Sequence, residues 1–263
     1  MSEGLSFFEK NGYISVPHFL PSTQIEEVRR EALARISEFD EATLRPSEFL
    51  KSENLTGFVF SRRLKEVLNA ISLEYRFFIP NFTIRSNLYI DWHSDDEFVE
   101  SEPQTLPEVL QCNIYLQENS EAYGGGIDLS VGTHRLSKEE KKAAVVRGTV
   151  PRTIMSTQAG DLLIFDYRVL HRSTFPREKP VGTPRLAIQW TVCRSVSAAK
   201  SFLSYLARRQ CQTLHLSDYT KTRAVSYFKD IQKVRFPNSF SEKSMAAVTS
   251  NQFQIVTAKA VNE

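Results

Sequence analysis

The chain has 263 residues, of which 41% are hydrophobic and 24% charged, with 33 basic against 31 acidic side chains. That balance suits one compact, water-soluble domain with a substantial core and is too apolar for a disordered protein. The charges are scattered, with no basic stripe to recruit nucleic acid, and no stretch approaches the ~20 apolar residues of a membrane span.

Cys112, Cys193 and Cys211 are an odd number without CxxC spacing, so neither a disulfide framework nor a thiolate zinc site is indicated. The segment MSEGLSFFEKNGYISV lacks the basic start and apolar run of a signal peptide. The expectation is a cytoplasmic monomer or homodimer that acts on a small molecule, with no nucleic-acid or membrane partner.

Residues 23 to 38 read as an amphipathic helix. Thr23 with Glu26 forms a capping-box pattern, and Ile25, Val28, Leu33 and Ile36 recur at helical spacing. A second helix is predicted over residues 61 to 72, with Leu64, Val67, Leu68 and Ile71 in one stripe. From residue 84 the period becomes two. In IRSNLYIDWHSD the even positions Ile84, Leu88, Ile90 and Trp92 are apolar, while Arg85, Asn87, Tyr89, Asp91, His93 and Asp95 form the other face. LQCNIYLQ, residues 110 to 117, repeats that parity.

A short helix follows Ser137, whose partner Glu140 makes another capping box. GDLLIFDYRVLH, residues 160 to 171, reads as one buried strand, and RLAIQWTVCR, residues 185 to 194, alternates again. Two helices are predicted around FLSYLARRQ and TRAVSYFKDI, and the Ser-rich stretch after Pro237 as a loosely packed tail.

The fold class is mainly β with flanking helices around a jelly-roll core. It divides into a helical part over 1–75, the core over 76–196, and C-terminal helices and tail over 197–263, in one domain. Alternation leaves two choices for the polar strand faces: the lumen of a ligand-holding barrel, or water.

Chemistry favours the lumen. His93 and Asp95, two apart on a strand, leave the same face, where an imidazole and a carboxylate suit Fe(II), Mn(II) or Zn(II). Taken alone, a short acidic segment is as easily a surface turn. His171, ending the Gly-Asp strand, is placed to be a third ligand. His18 and His215 lie outside the strands. His134 follows the glycine turn GGGIDLSVGTH and is expected to line the site mouth. Arg185, 14 residues after His171, would enter the same cavity, where a guanidinium needs an anion: the carboxylate of a ligand or, as readily for Arg185 taken alone, one of the chain's own acids. Two histidines and a carboxylate on one face of a metal leave positions for a bidentate co-substrate and oxygen.

With these residues in place, the sequence resembles the phytanoyl-CoA hydroxylase-like branch of the iron(II)/2-oxoglutarate dioxygenases. The likeness runs through FFEKNGYISVPHFLPSTQIEEV, the HSD box, LQCNIYLQENSEAYGGGIDLSVGTHRLS, GDLLIFDYRVLHRST and PRLAIQWTV. It implies a double-stranded β-helix of cupin type, with His93, Asp95 and His171 as metal ligands and Arg185 on the 2-oxoglutarate carboxylate. Val131, Gly132, Thr133 and His134 stand where the family usually reads Pro-Gly-Ser-His. Asp95 occupies the carboxylate position that halogenating relatives lose.

The resemblance also implies hydroxylation of an unactivated C–H bond using Fe(II), 2-oxoglutarate and O2, with succinate and CO2 released, in a biosynthetic tailoring step. Desaturation, cyclisation or epimerisation by the same oxidant stays open, as does a cupin-like metalloenzyme or binding barrel that does not use 2-oxoglutarate. From strand parity, Asn113 and Gln111 are expected on the co-substrate, with Thr191 or Gln189 supporting Arg185, and Arg85, Asn87 and Tyr89 on the primary substrate, which His134 would meet from the glycine turn.

Overall fold

The computed structural model describes residues 3–37, 43–86, 88–96, 106–177, 184–208, 213–216, 221–223 and 229–258. The helix α1 (Glu3–Asn11), strand β1 (Tyr13–Val16) and helix α2 (Ser22–Ser37) come first. After β2 (Thr43–Leu44) the chain winds through α3 (Pro46–Lys51), α4 (Glu53–Val59) and α5 (Arg62–Ile71). Strands β3 (Phe77–Phe78), β4 (Thr83–Ser86), β5 (Leu88–Tyr89), β6 (Val109–Tyr115) and β7 (Ile127–Ser130) follow, then α6 (Lys138–Arg147). The remainder is β8 (Thr153–Ile154), β9 (Leu162–Asp166), β10 (Leu170–Ser173), β11 (Leu186–Cys193), α7 (Val196–Arg208), β12 (Thr213–Leu216), β13 (Lys221–Arg223), α8 (Glu242–Ser250) and β14 (Gln254–Ile255).

Eight strands form the large sheet, in the order β1-β9-β6-β11-β3-β14, with β4 also on β11 and β2 on β4. A second sheet runs β10-β7-β8 and a third β13-β12-β5. The pairing is antiparallel except between β14 and β3. This is the expected jelly roll with flanking helices.

Strand parity sorts the two faces of the large sheet. Ile84, Cys112, Ile114, Ile164, Ile188 and Trp190 share a core with Val28, Ala32, Phe49, Leu55, Leu64 and Leu68 from the helices. On the other face Tyr115, Leu163, Phe165 and Ala187 meet Ile127 and Leu129 of the second sheet. Each Val, Leu, Ile or Phe among these, fully buried, stabilises by about 1.5–3 kcal/mol. α5 shows the local cause: Ser61 accepts from Leu64 N at its start, and Leu64, Leu68 and Ile71 are its buried stripe. Ser137 and Glu140 form both halves of a capping box on α6.

Four expectations change. The predicted strand over 84 to 95 splits, because after β4 the chain leaves the large sheet and β5 pairs with β12 instead. The run 160 to 171 also splits, because the Asp166 side chain accepts from the backbone N and Nε of Arg168 and turns the chain from β9 into β10. Lys221–Arg223 is a strand and not the start of a helix, while residues 224–228 lie outside those described.

The fourth concerns the stretch after Pro237, which is packed, not loose. Ser241 caps α8, and Val248 and Phe253 are buried in the main core. Its serines are cap and contact residues, as when Ser244 bonds the hydroxyl of Thr56. Burial pushes the Cys112 and Cys193 thiols up, keeping them protonated; Cys211 lies outside the described residues. Among the described residues no helix is long and apolar enough to cross a membrane.

Candidate metal centre and its cavity

His93, Asp95 and His171 offer ligand atoms that all lie within 4.8 Å of one another. Two elements bring them together. His171 is on β10 and exchanges backbone bonds with the 91–96 segment, His93 N to His171 O at 3.0 Å and His171 N to His93 O at 2.9 Å. Asp95 N then donates to Tyr167 O at 2.9 Å. Both rings are oriented the same way: Nδ1 of His93 lies 2.7 Å from Asp91 O and Nδ1 of His171 lies 3.0 Å from Val169 O. A carbonyl only accepts, so each Nδ1 carries the hydrogen and each Nε2 keeps its lone pair for a metal. The Nε2 of His171 is 3.9 Å from Asp95 Oδ2. Two neutral imidazole nitrogens and a carboxylate, each with a backbone or side-chain partner behind it, fit a divalent iron with open positions.

The cavity at this cluster is floored by the large sheet. Register places Arg85, Ala187 and Tyr115 in one row across β4, β11 and β6, and Thr83, Gln189 and Asn113 in the next. Arg85, Thr83, Gln189, Asn113 and Tyr115 line the cavity with Arg185. The Arg185 guanidinium lies 5.4 Å from the Tyr89 ring and 5.5 Å from the Tyr115 ring, and its Nη2 donates to Gly126 O at 3.1 Å. Burial pushes the Tyr115 hydroxyl up to about 12, against the opposing pull of Arg185. It therefore stays protonated and able to donate. Ile90, Phe202 and Leu206 supply an apolar wall.

A third element buttresses the ligands from behind. Thr133 Oγ1 accepts from Leu170 N at 2.9 Å and donates to Ser130 O at 2.6 Å, fixing the residue before His171. Further along, Lys141 of α6 is 3% exposed and donates to Asp96 Oδ2 and to Arg168 O. Ser94 closes the other side of Asp96 at 2.7 Å.

The sequence-predicted residues therefore have distinct fates. His93, Asp95, His171, Arg185, Arg85, Asn113 and Gln111 share one cavity. Thr191 is fully buried beneath Gln111, its Oγ1 donating to Gln111 Oε1 at 3.0 Å, rather than beside Arg185. Tyr89 is buried under the Arg185 guanidinium and not exposed to a substrate. His134 is not at the mouth: its Nε2 lies 3.0 Å from Glu9 O, and it packs so closely on Gly12 that a Cβ there would meet its Nδ1 at 2.6 Å. Asn87 lies outside the described residues. Ile90, assigned by parity to the packing face, lines the cavity because the strand breaks before it. Asn81 and Lys141 were not legible as site residues. Asn81 sits in a loop with no period, and Lys141 is one of several lysines in KEEKK, distinguished only by its burial.

A jelly roll that gathers two imidazoles, one carboxylate and a buried arginine at one cavity belongs to the class of non-haem metal oxygenases. The profile of the phytanoyl-CoA dioxygenase (PhyH) family matches residues 8–175, a stretch that contains all three candidate ligands but ends before Arg185. The chain belongs to this family and is a 2-oxoglutarate-dependent non-haem iron dioxygenase, with iron and 2-oxoglutarate as its cofactors.

Solved structures carry the same fold. The non-heme alpha ketoglutarate dependent epimerase SnoN from nogalamycin biosynthesis superposes with a TM-score of 0.55 at 17% identity, over 73% of this chain and 80% of its own. EctD from S. alaskensis, with 2-oxoglutarate and 5-hydroxyectoine, gives 0.56 at 18%, over 75% and 77%. The carbocyclase SnoK gives 0.56 at 18%, over 73% and 84%. A search of curated proteins finds no match by sequence.

Proposed function

We propose that the protein hydroxylates an unactivated C–H bond of a small molecule held in this cavity, as a biosynthetic tailoring step in the cytoplasm. His93, Asp95 and His171 hold the iron, and Arg185 receives the distal carboxylate of 2-oxoglutarate. The observation that carries the reading is the convergence of those three donors in a cavity that also admits Arg185.

Bound iron supplies the redox chemistry, in which 2-oxoglutarate and O2 end as succinate, CO2 and an oxidised C–H bond. The chain supplies position. Asp91 O and Val169 O hold the imidazoles with Nε2 forward. Arg185 presents a planar fork to a carboxylate, braced by the Tyr89 and Tyr115 rings, and the protonated Tyr115 hydroxyl adds a donor nearby. Asn113 lines the same cavity as that fork and the metal ligands and is assigned to the co-substrate. Ile90, Phe202 and Leu206 keep water from the reacting carbon, while Arg85 offers the substrate a cationic contact.

Anaerobic addition of Fe(II) and then 2-oxoglutarate tests this directly, since bidentate chelation gives a visible charge-transfer band. Its absence from folded protein that binds Fe(II) points to a cupin-like metalloenzyme not using 2-oxoglutarate. Arg185→Ala is expected to raise the 2-oxoglutarate requirement roughly a hundredfold, from the ~2–5 kcal/mol cost of truncating one side of a hydrogen-bonded charge pair. Its iron affinity stays close to that of the parent; collapse of iron binding with unchanged co-substrate dependence would show the role to be misassigned.

A further inference from the structure

Behind Asp95 runs a line of hydrogen bonds that the ligand set alone does not require. Gln111 Nε2 donates to Asp95 Oδ2 at 3.0 Å, Thr191 Oγ1 donates to Gln111 Oε1 at 3.0 Å, and Asn81 Nδ2 donates to Thr191 Oγ1 at 2.6 Å. Thr191 and Gln111 are opposed in the β11–β6 register, and Thr191 is 0% exposed, so water does not compete for its hydroxyl. We infer, resting on the assignment of His93, Asp95 and His171 to iron, that Asn81, Thr191 and Gln111 are positioning residues forming a one-way relay that fixes the rotation of the Asp95 carboxylate.

The direction follows from what each group can do. An amide nitrogen only donates, so Thr191 Oγ1 accepts from Asn81 and has its single hydrogen free to send onward. The onward group must be an acceptor, which is Gln111 Oε1. The Gln111 amide is thereby turned with its nitrogen toward the carboxylate. The flipped amide would set Oε1 against Asp95, acceptor against acceptor, and would point a second donor at Thr191. Anchored at the carboxylate, which only accepts, one arrangement pairs every donor along the line from Asn81 Nδ2 to Asp95 Oδ2 with an acceptor, and it hands Asp95 a donor at a fixed place. Loss of such a partner behind a metal ligand lowers metal affinity about 10–100-fold.

The relay is tested by anaerobic Fe(II) titration, with thermal melting of each variant alongside. Thr191→Val keeps the volume and removes the hydroxyl, and it is expected to raise the Fe(II) dissociation constant about 10–100-fold, whereas Thr191→Ser restores it to within about threefold of the parent. Gln111→Met, which keeps chain length and loses the amide, should match Thr191→Val and serves if the valine variant does not fold. The charge-transfer band formed with 2-oxoglutarate should shift in both. A folded Thr191→Val or Gln111→Met protein with parental Fe(II) affinity overturns the relay, even if its melting temperature falls. The underlying iron assignment fails separately, if Asp95→Ala or His171→Ala protein binds Fe(II) as the parent does.

Discussion

The floor of the cavity and the rim that carries the metal ligands are built on opposite principles. On the floor, side chains are placed by register, row upon row across β4, β11 and β6, with a continuous ladder of backbone bonds beneath them. The rim over residues 91–96 has one isolated bridge, His93 to His171, and one further backbone bond, Asp95 N to Tyr167 O, and beyond these it hangs on particular side chains. In a ladder each bond adds about 1 kcal/mol net and neighbours share the positioning. On the rim a few scattered bonds hold each ligand, so precision there also rests on Lys141 behind Asp96, on the Thr133–His134 turn, and on Gly12, which lets α1 pack against that turn.

The largest effect expected from this contrast is at Lys141. Lys141→Met leaves Asp96 buried without its counter-charge, at a cost of about 3–5 kcal/mol in denaturant unfolding. Adding Asp96→Leu should recover much of that loss. If Lys141→Met costs under about 1 kcal/mol, as an exposed pair would, the rim is held collectively like the floor and the contrast breaks.

Gly12→Ala comes next. Its φ is +80°, and the new Cβ would lie 2.6 Å from both His134 Nδ1 and Val169 Cγ2. Left-handed backbone alone costs roughly 1–2 kcal/mol in a non-glycine residue. Gly148→Ala, with φ at +66° and nothing within 4 Å, provides the control for backbone alone. An equal loss at both positions would remove His134 contact as a cause.

The smallest effect is a pH dependence. Burial lowers the His134 pKa below its ordinary 6.5. The unfolded chain therefore takes up a proton near that pH while the native one resists, and stability is lost as pH falls below it. Urea unfolding of the parent and of His134→Gln, followed from about pH 7.5 to about pH 5.5, should show the parent losing more. Parallel curves would leave the turn insensitive to its histidine.

The same contrast explains what could be read from the sequence. Period two across Gln111, Asn113 and Tyr115, and again across Gln189 and Thr191, assigned the floor residues to the inner face because a paired strand preserves parity. His93, Asp95, His171 and Arg185 carry side chains whose chemistry is recognisable without coordinates. The rim was opaque, since its contacts join residues far apart in the chain and follow no period. Lys141 reaches Asp96 across 45 positions, and nothing local separates it from Lys138 or Lys142. Ile90 was misassigned for the related reason that parity holds only while the strand continues. His134 was misplaced because a histidine beside a glycine turn looks alike whether it faces a ligand or a helix.

The order of the large sheet has a consequence for how the protein folds. Two of its outer positions are held by Tyr13–Val16 and Gln254–Ile255, segments far apart in the chain, each clasping a partner far away in sequence: Tyr13 opposes Phe165 and Gln254 opposes Phe77. Strand β1 must wait for β9, and the outer edge of β3 for β14. Such non-local closure slows folding and leaves strand edges uncovered meanwhile. Closure of the sheet and assembly of the site are thus coupled through the β3 edge, which lies beside the Asn81 loop.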